Sequence, residues 1–266
     1  MRALGLALAG LLLGGMQAPA SPPAPMSLWR LDCGRLEDNE ARPSPWRPTP
    51  LPIGCYLVKH GDRYLLWDAG LSAKAIGNRD PQMKLDRTLV DQLKQIGVRP
   101  QQIDFIGISH YHGDHTGQAP AFPKAKLLIG AEDLAALKTG TPPIGSSPTH
   151  LKPWIEDGAP VAALTEDLDV FGDGRVVVLM TPGHTPGHSS LLVKLAGGNV
   201  LLSGDLWDGY DNVLKDEMPD YNTSRADTTA SRERFRRLAH KLDAVVILQH
   251  EAADLAKLPA FPEAAR

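Results

Sequence analysis

The six residues His110-Tyr111-His112-Gly113-Asp114-His115 constrain this chain more than any other stretch of it. Three imidazoles and a carboxylate packed this densely suit a metal ion, which takes nitrogen and oxygen donors at about 2.0–2.2 Å. In an extended segment, side chains two positions apart face the same way, so His110 and His112 can address one ion. Asp114 and His115 diverge from that pair and suit a second ion nearby. A single histidine here would read as a solvated turn, but further donors follow at telling places. Four short apolar runs each lead into a group able to bind metal: residues 103–108 into His110, 176–180 into His184, 200–202 into Asp205, and 245–248 into His250. Polar groups just past strand ends, carried by a rigid sheet, converge on one edge of it.

Counted together, the candidates are His110, His112, Asp114, His115, His184, Asp205 and His250. Seven donors exceed the four of a closed structural zinc site. Divided between two ions that share one carboxylate, they leave a position open to water. Two divalent ions about 3.5–4 Å apart acidify a shared water and polarise both the attacked and the leaving oxygen, which points to hydrolysis.

The rest of the chain frames that centre. Met1-Arg2, an apolar run over residues 3–13 and Ala18-Pro19-Ala20 have the form of a secretory signal peptide over residues 1–20. The apolar run is shorter than the roughly 20 residues that cross a bilayer, so no stable membrane insertion is expected after leader cleavage. A Pro-rich spacer, 21–26, then precedes one catalytic domain, 27–266, expected in the periplasm or the medium. A chain of 266 residues that is 42% hydrophobic can bury a sizeable core, and a net charge of −3 gives no reason to expect nucleic acid as a partner. Cys33 and Cys55 stand either as one disulfide or as two buried thiols, and no CxxC pair offers a thiolate zinc site.

Local patterns suggest the remaining elements. Residues 53–58 and 64–67 flank the turn His60-Gly61-Asp62 as a hairpin. Leu89, Leu93 and Ile96 mark a helix over residues 86–96, and Phe235, Leu238 and Leu242 another over 231–242. Residues 43–52, dense in proline, read as extended loop, and residues 139–153, dense in Pro, Gly and Ser, as a loop walling the site. His60, His150 and His240 read as solvated histidines, and Arg232, Arg234, Arg236 and Arg237 as a solvated helix face.

The motif His110-Tyr-His112-Gly-Asp114-His115, with Thr181-Pro-Gly-His184-Thr-Pro-Gly-His188, Gly204-Asp205 and His250, resembles the metallo-β-lactamase superfamily. That resemblance implies an α+β fold, a four-layer αββα sandwich. Cys33-Gly-Arg35, Leu51-Pro-Ile-Gly-Cys55-Tyr-Leu, Trp67-Asp68-Ala-Gly70 and Leu248-Gln-His250-Glu251 narrow it to the N-acyl-homoserine lactone lactonases, over about residues 27 to 262. Carried over by position, His110, His112 and His184 would hold the first ion, and Asp114, His115 and His250 the second, with Asp205 bridging. The implied mechanism is attack of a bridging hydroxide on the lactone carbonyl, with Asp114 shuttling the proton. Zinc is the expected metal, while iron, cobalt and manganese also suit these donors. His188 and Asp68 would support the site without binding metal.

The family carries a tyrosine three positions after the bridging carboxylate. Here that position is Asp208, and the nearest tyrosine is Tyr210. A β-lactam hydrolase, an organophosphate or arylester hydrolase and a non-catalytic metal-binding module are the competing functions. Asp205 stands where the β-lactamases resemble a Cys or Ser site, which favours ester substrates. Partners expected are a small lactone or ester, with a homodimer left open.

Overall fold

The continuous apolar runs of the sequence become strands buried on both faces. In the computed structural model, which describes residues 24–37, 50–77 and 81–266, strands β1 (Met26–Leu36), β2 (Leu51–His60), β3 (Arg63–Trp67), β4 (Met83–Lys84), β5 (Phe105–Gly107), β6 (Lys126–Gly130) and β7 (Val161–Leu164) form one sheet. Its order is β4-β1-β2-β3-β5-β6-β7. Strands β8 (Leu168–Asp169), β9 (Val176–Met180), β10 (Ser189–Leu195), β11 (Gly198–Leu202) and β12 (Val245–Ile247) form the other, in the order β12-β11-β10-β9-β8. The helices are α1 (Leu89–Gln95), α2 (Gly113–Thr116), α3 (Ala131–Leu137), α4 (Lys152–Ile155), α5 (Tyr210–Lys215), α6 (Arg225–Leu242) and α7 (Ala252–Leu255).

Alternation of side chains along each strand sorts the apolar residues into three cores. Val176 and Val178 of β9 point between the sheets, where they meet Tyr56, Val58, Leu65, Trp67, Leu191 and Val193. Val177 and Leu179, one residue out of phase, join Leu192, Leu201, Trp207 and Phe235 beneath α6. On the far side, Leu57, Leu66, Ile106 and Leu127 pack under Leu89 and Leu93 of α1 and Leu134 and Leu137 of α3. Three cores separate four layers, the αββα sandwich that the resemblance implies.

The expected hairpin is β2–β3, closed between His60 and Arg63, with Gly61 at the positive φ that the two-residue turn requires. Helix α1 lies inside its expected range, and the Thr88 hydroxyl caps it by accepting from Asp91 N–H at 3.0 Å. Helix α6 starts at Arg225, six residues before the expected start. Its early buried positions are Thr228, Ser231 and Arg232, so its inward stripe turns apolar only at Phe235.

Other expectations need correction. Leu51 and Pro52 belong to β2, with Pro52 opposite Arg35 just past an irregularity in the β1–β2 register, where a missing N–H is tolerated. The end of the 139–153 stretch folds into a 3-10 turn and α4. The expected spacer gives its last residue, Met26, to β1. The leader, the spacer through residue 23 and residues 43–49 of the Pro-rich stretch lie outside the described residues. Among the described residues, no helix is long and apolar enough to cross a membrane.

Cys33 of β1 and Cys55 of β2 form a disulfide with their Cα atoms 5.7 Å apart, which resolves the two readings of the cysteine pair. Both are wholly buried, in the core between the larger sheet and its helices. Cys33→Ala with Cys55→Ala should lower the free energy of unfolding by about 3 kcal/mol, measured by urea denaturation, as expected for a crosslink closing a loop of this size. An unchanged denaturation midpoint would show that the bond carries no stability.

Candidate metal centre

Each donor is delivered by a strand end. His110 and His112 follow β5, with Asp114 and His115 in the single turn of α2. His184 follows β9, Asp205 follows β11 and His250 follows β12. The structure brings all seven residues together at one edge of the sandwich in two groups, His110-His112-His184-Asp205 and Asp114-His115-His250.

Within the first group, His112 Nδ1 lies 2.8 Å from His110 Nε2 and 3.1 Å from His184 Nε2. Asp205 Oδ2 is 3.8 Å from His110 Nε2 and 3.7 Å from His184 Nε2. The other oxygen of the same carboxylate, Oδ1, is 3.4 Å from His115 Nε2 and 3.2 Å from His250 Nε2. Asp114 Oδ2 completes the second group at 3.7 and 3.9 Å from those two nitrogens. Asp205 Oδ2 is also 3.2 Å from His250 Nε2, so the carboxylate sits between the two groups and addresses both.

Hydrogen bonds behind the rings decide which nitrogen faces inward. His115 Nδ1 donates to Asp68 Oδ2 at 3.0 Å, His184 Nδ1 to Asn222 Oδ1 at 3.1 Å, and His250 Nδ1 to the Pro52 carbonyl at 2.9 Å. The Ser109 hydroxyl donates to Asp68 at 3.0 Å and accepts from His110 Nδ1 at 3.1 Å. Asp68, held at a φ of +60°, also accepts Ser109 N–H at 2.7 Å. With each Nδ1 committed outward, Nε2 of all four rings faces the same buried space around the Asp205 carboxylate, where a proton or a metal ion must supply positive charge. His115 Nε2 and Asp205 Oδ1 are buried and make no hydrogen bond. The donor set therefore fits two metal ions.

Electrostatics separate the two groups: burial opposes charge on His115 and His250, but Asp205 and Asp114 outweigh it and hold His115 well above and His250 above the usual imidazole range, so these two rings carry protons that metal ions would displace. Burial holds His110 well below the usual imidazole range and His184 down to about 3, so both stay unprotonated and free to bind. Burial opposes ionisation of Asp205, but the charged rings of His250 and His115 outweigh it and keep the carboxyl well below the usual range. His188, expected as a supporting residue, accepts Asp205 N–H on Nε2 at 2.9 Å and donates from Nδ1 to the Thr181 carbonyl at 2.9 Å.

Other expectations divide. Tyr210 is not in the site: its hydroxyl donates to Asp254, on the far side of α5. Tyr221 is there instead. It packs edge-on against the His184 ring at 5.8 Å, and its hydroxyl donates to Asp208 Oδ2 at 2.7 Å. Arg232 is not solvated. It is 1% exposed, donating from Nε to the Leu206 carbonyl at 2.7 Å and from Nη1 to the Glu217 carbonyl at 2.9 Å, so it fixes the segment after Asp205. Arg234 donates to the Met180 carbonyl, whereas Arg236 and Arg237 are exposed as expected. His60 pairs with Asp173 at 2.8 Å and stacks on Phe171, and His150 is half-buried against the Thr116 hydroxyl; only His240 of the three is exposed. Asn222, Ser109 and Tyr221 escaped sequence reading because single polar residues in loops carry no periodic or spacing signal.

A cavity of about 910 Å³ opens beside the donors, reached past Tyr111, His112 and Asp114 and walled by Leu71, Met83 and Ile144. Part of that wall is the 139–153 stretch, as expected. Asp205→Ala should take bound transition metal, by elemental analysis, from two ions per chain to one or none, and lower turnover by more than about 100-fold. Two retained ions with full turnover would contradict the bridging geometry.

Comparison with known proteins places this centre in context. Residues 48–250 match the metallo-beta-lactamase superfamily. The N-acyl homoserine lactonase AttM of Agrobacterium fabrum is 31% identical over 228 residues, 80% of this chain and 87% of that protein. AttM of Rhizobium radiobacter is 30% identical over 229 residues, with the same coverage. The crystal structure of a quorum-quenching N-acyl homoserine lactone lactonase superposes with a TM-score of 0.76 at 25% identity, covering 92% of this chain and all of that one. The chain belongs to the metallo-beta-lactamase superfamily and, within it, to the family of the N-acyl homoserine lactonases.

Proposed function

We propose that this protein is a dinuclear metal-dependent hydrolase that opens the lactone ring of N-acyl-homoserine lactones. The observation that carries the reading is the split carboxylate of Asp205 between two complete donor groups, at the mouth of a wide apolar cavity, in a chain whose relatives are named as lactonases. His110, His112 and His184 with Asp205 Oδ2 would hold one ion, and Asp114, His115 and His250 with Asp205 Oδ1 the other. Bound there, two divalent ions, zinc by the preference of imidazole and carboxylate donors, supply a water acidic enough to ionise near neutral pH and positive charge for the carbonyl and the departing ring oxygen.

The protein's own groups do the rest. Asp114 and His112 are the partly exposed members of the donor set and line the cavity, and Asp114, the carboxylate of the two, can take the proton of the attacking water and return it to the ring oxygen, the role of catalytic residue. Burial opposes its ionisation, but His115 and His250 outweigh it and hold the group below its usual range, so it stands as the carboxylate. Tyr221, on the cavity wall beside His184, can turn its hydroxyl from Asp208 to the polar head of the substrate. Leu36, Leu71, Ala75, Met83 and Ile144 form the apolar wall along which the acyl chain lies. Export through a leader at residues 1–20 is part of the proposal, and the buried disulfide suits an oxidising compartment.

A hydrolysis panel on the zinc-loaded protein tests this reading: short- and long-chain acyl-homoserine lactones, a carbapenem and an aryl phosphotriester. Lactone opening should dominate; untouched lactones with an opened carbapenem would overturn it. Tyr221→Phe should lower kcat/KM for the lactones by roughly 10- to 100-fold, the worth of a hydrogen bond to a charged group, while leaving bound metal unchanged. Unaltered kinetics would remove Tyr221 from the site.

A further inference from the structure

The three imidazoles of the first donor group come from opposite sheets: His110 and His112 follow β5 of the larger, His184 follows β9 of the smaller. Their nitrogens must meet within about 3 Å of one another, yet neither sheet's ladder sets the distance between the two loops. One cross-link is backbone, from Ser189 N–H to the Ser109 carbonyl at 2.8 Å. Another is a side chain from a third element. Asp133, wholly buried in the first turn of α3, accepts Tyr111 N–H at 3.1 Å and the Thr185 hydroxyl at 2.8 Å on Oδ2, and Gly187 N–H at 2.6 Å on Oδ1. Tyr111 lies between His110 and His112, and Thr185 follows His184 directly.

The packing around this carboxylate leaves it no slack. A Cβ on Gly187 would stand 2.7 Å from Asp133 N, and one on Gly130 2.0 Å from the Gly187 carbonyl oxygen, so α3 and the His184 loop are pressed backbone to backbone. Burying a carboxylate here is costly, and burial pushes its carboxyl up to about 6 against the pull of all three donors. None of the steps assigned to Asp114, Tyr221 or the donors calls on it.

We propose that Asp133 is a positioning residue for the first ion: its carboxylate fixes the separation of the His110–His112 and His184 loops, and so the tightness of the three-imidazole half, without touching a donor. The inference rests on the two-ion reading. Asp68 acts differently, on the rings themselves: it holds His115 directly and His110 through the Ser109 hydroxyl.

The test is retention of zinc by the full-length, zinc-loaded protein dialysed against graded chelator, read by elemental analysis. His250→Ala leaves the first group complete and should hold one zinc; His110→Ala leaves the second. Asp133→Ala should make the zinc of the His250→Ala protein leave at roughly 10- to 100-fold lower chelator, and leave the zinc of the His110→Ala protein as it was. Asp133→Asn and Thr185→Val, which disturb one contact each, should show the same selectivity in smaller measure, so the idea stays testable if the alanine variant fails to fold. Wild-type retention in all three variants, or equal loosening of both ions, would overturn the positioning role. An unmutated protein that binds no zinc would overturn the two-ion reading itself, and this inference with it.

Discussion

The Nε2 atoms of His110, His115, His184 and His250, on four buried rings, converge on one carboxylate. Imidazoles and carboxylates lose their hydration on entering a protein interior, and nothing in the apolar cores compensates for that loss. The Asp205 carboxylate offsets part of it, lying between the two halves of the cluster with a charge that His250 and His115 stabilise. On the proposed reading, a pair of divalent cations supplies the remainder. The architecture is the means of holding this unfavourable convergence in place.

Two devices hold it. The first is the sandwich, in which apolar packing on both faces of each sheet makes the strand ends rigid, so that His110, His184, Asp205 and His250, just beyond them, are held nearly as firmly as the strands. The second is a set of hydrogen bonds that commits the outer face of each ring. The acceptors are of different kinds: the Asp68 carboxylate for His115, the Asn222 amide for His184, the Ser109 hydroxyl for His110 and the Pro52 carbonyl for His250. They come from β2, from two loops of the larger sheet and from the segment before α6, and the Pro52 carbonyl of the larger sheet holds His250 of the smaller.

What was legible in the sequence was chemistry at strand ends. His110, His184, Asp205 and His250 stood out because each follows an apolar run too short for a helix, and the same runs announced a sheet buried on both faces. What was illegible depends on tertiary contact. Arg232 reads as a surface charge until the stripe Thr228-Ser231-Arg232-Phe235 is seen to face inward, where backbone carbonyls take its guanidinium. Pro52 reads as a loop until its carbonyl is found beneath His250. Tyr210 is nearer than Tyr221 to Asp205 in sequence, but it lies on α5 and turns to Asp254, while the loop before α6 swings Tyr221 back beside His184. Asp133 gives no sign of itself, being one acid in a short helix whose three partners come from two distant loops.

The most direct measurement is anomalous diffraction from crystals of the purified protein, collected at the absorption edge of its bound metal. The account predicts two peaks about 3.5–4 Å apart, one within coordination distance of His110, His112 and His184, the other of Asp114, His115 and His250, with one oxygen of Asp205 on each. A single peak, or two peaks of which only one is touched by Asp205, would contradict it.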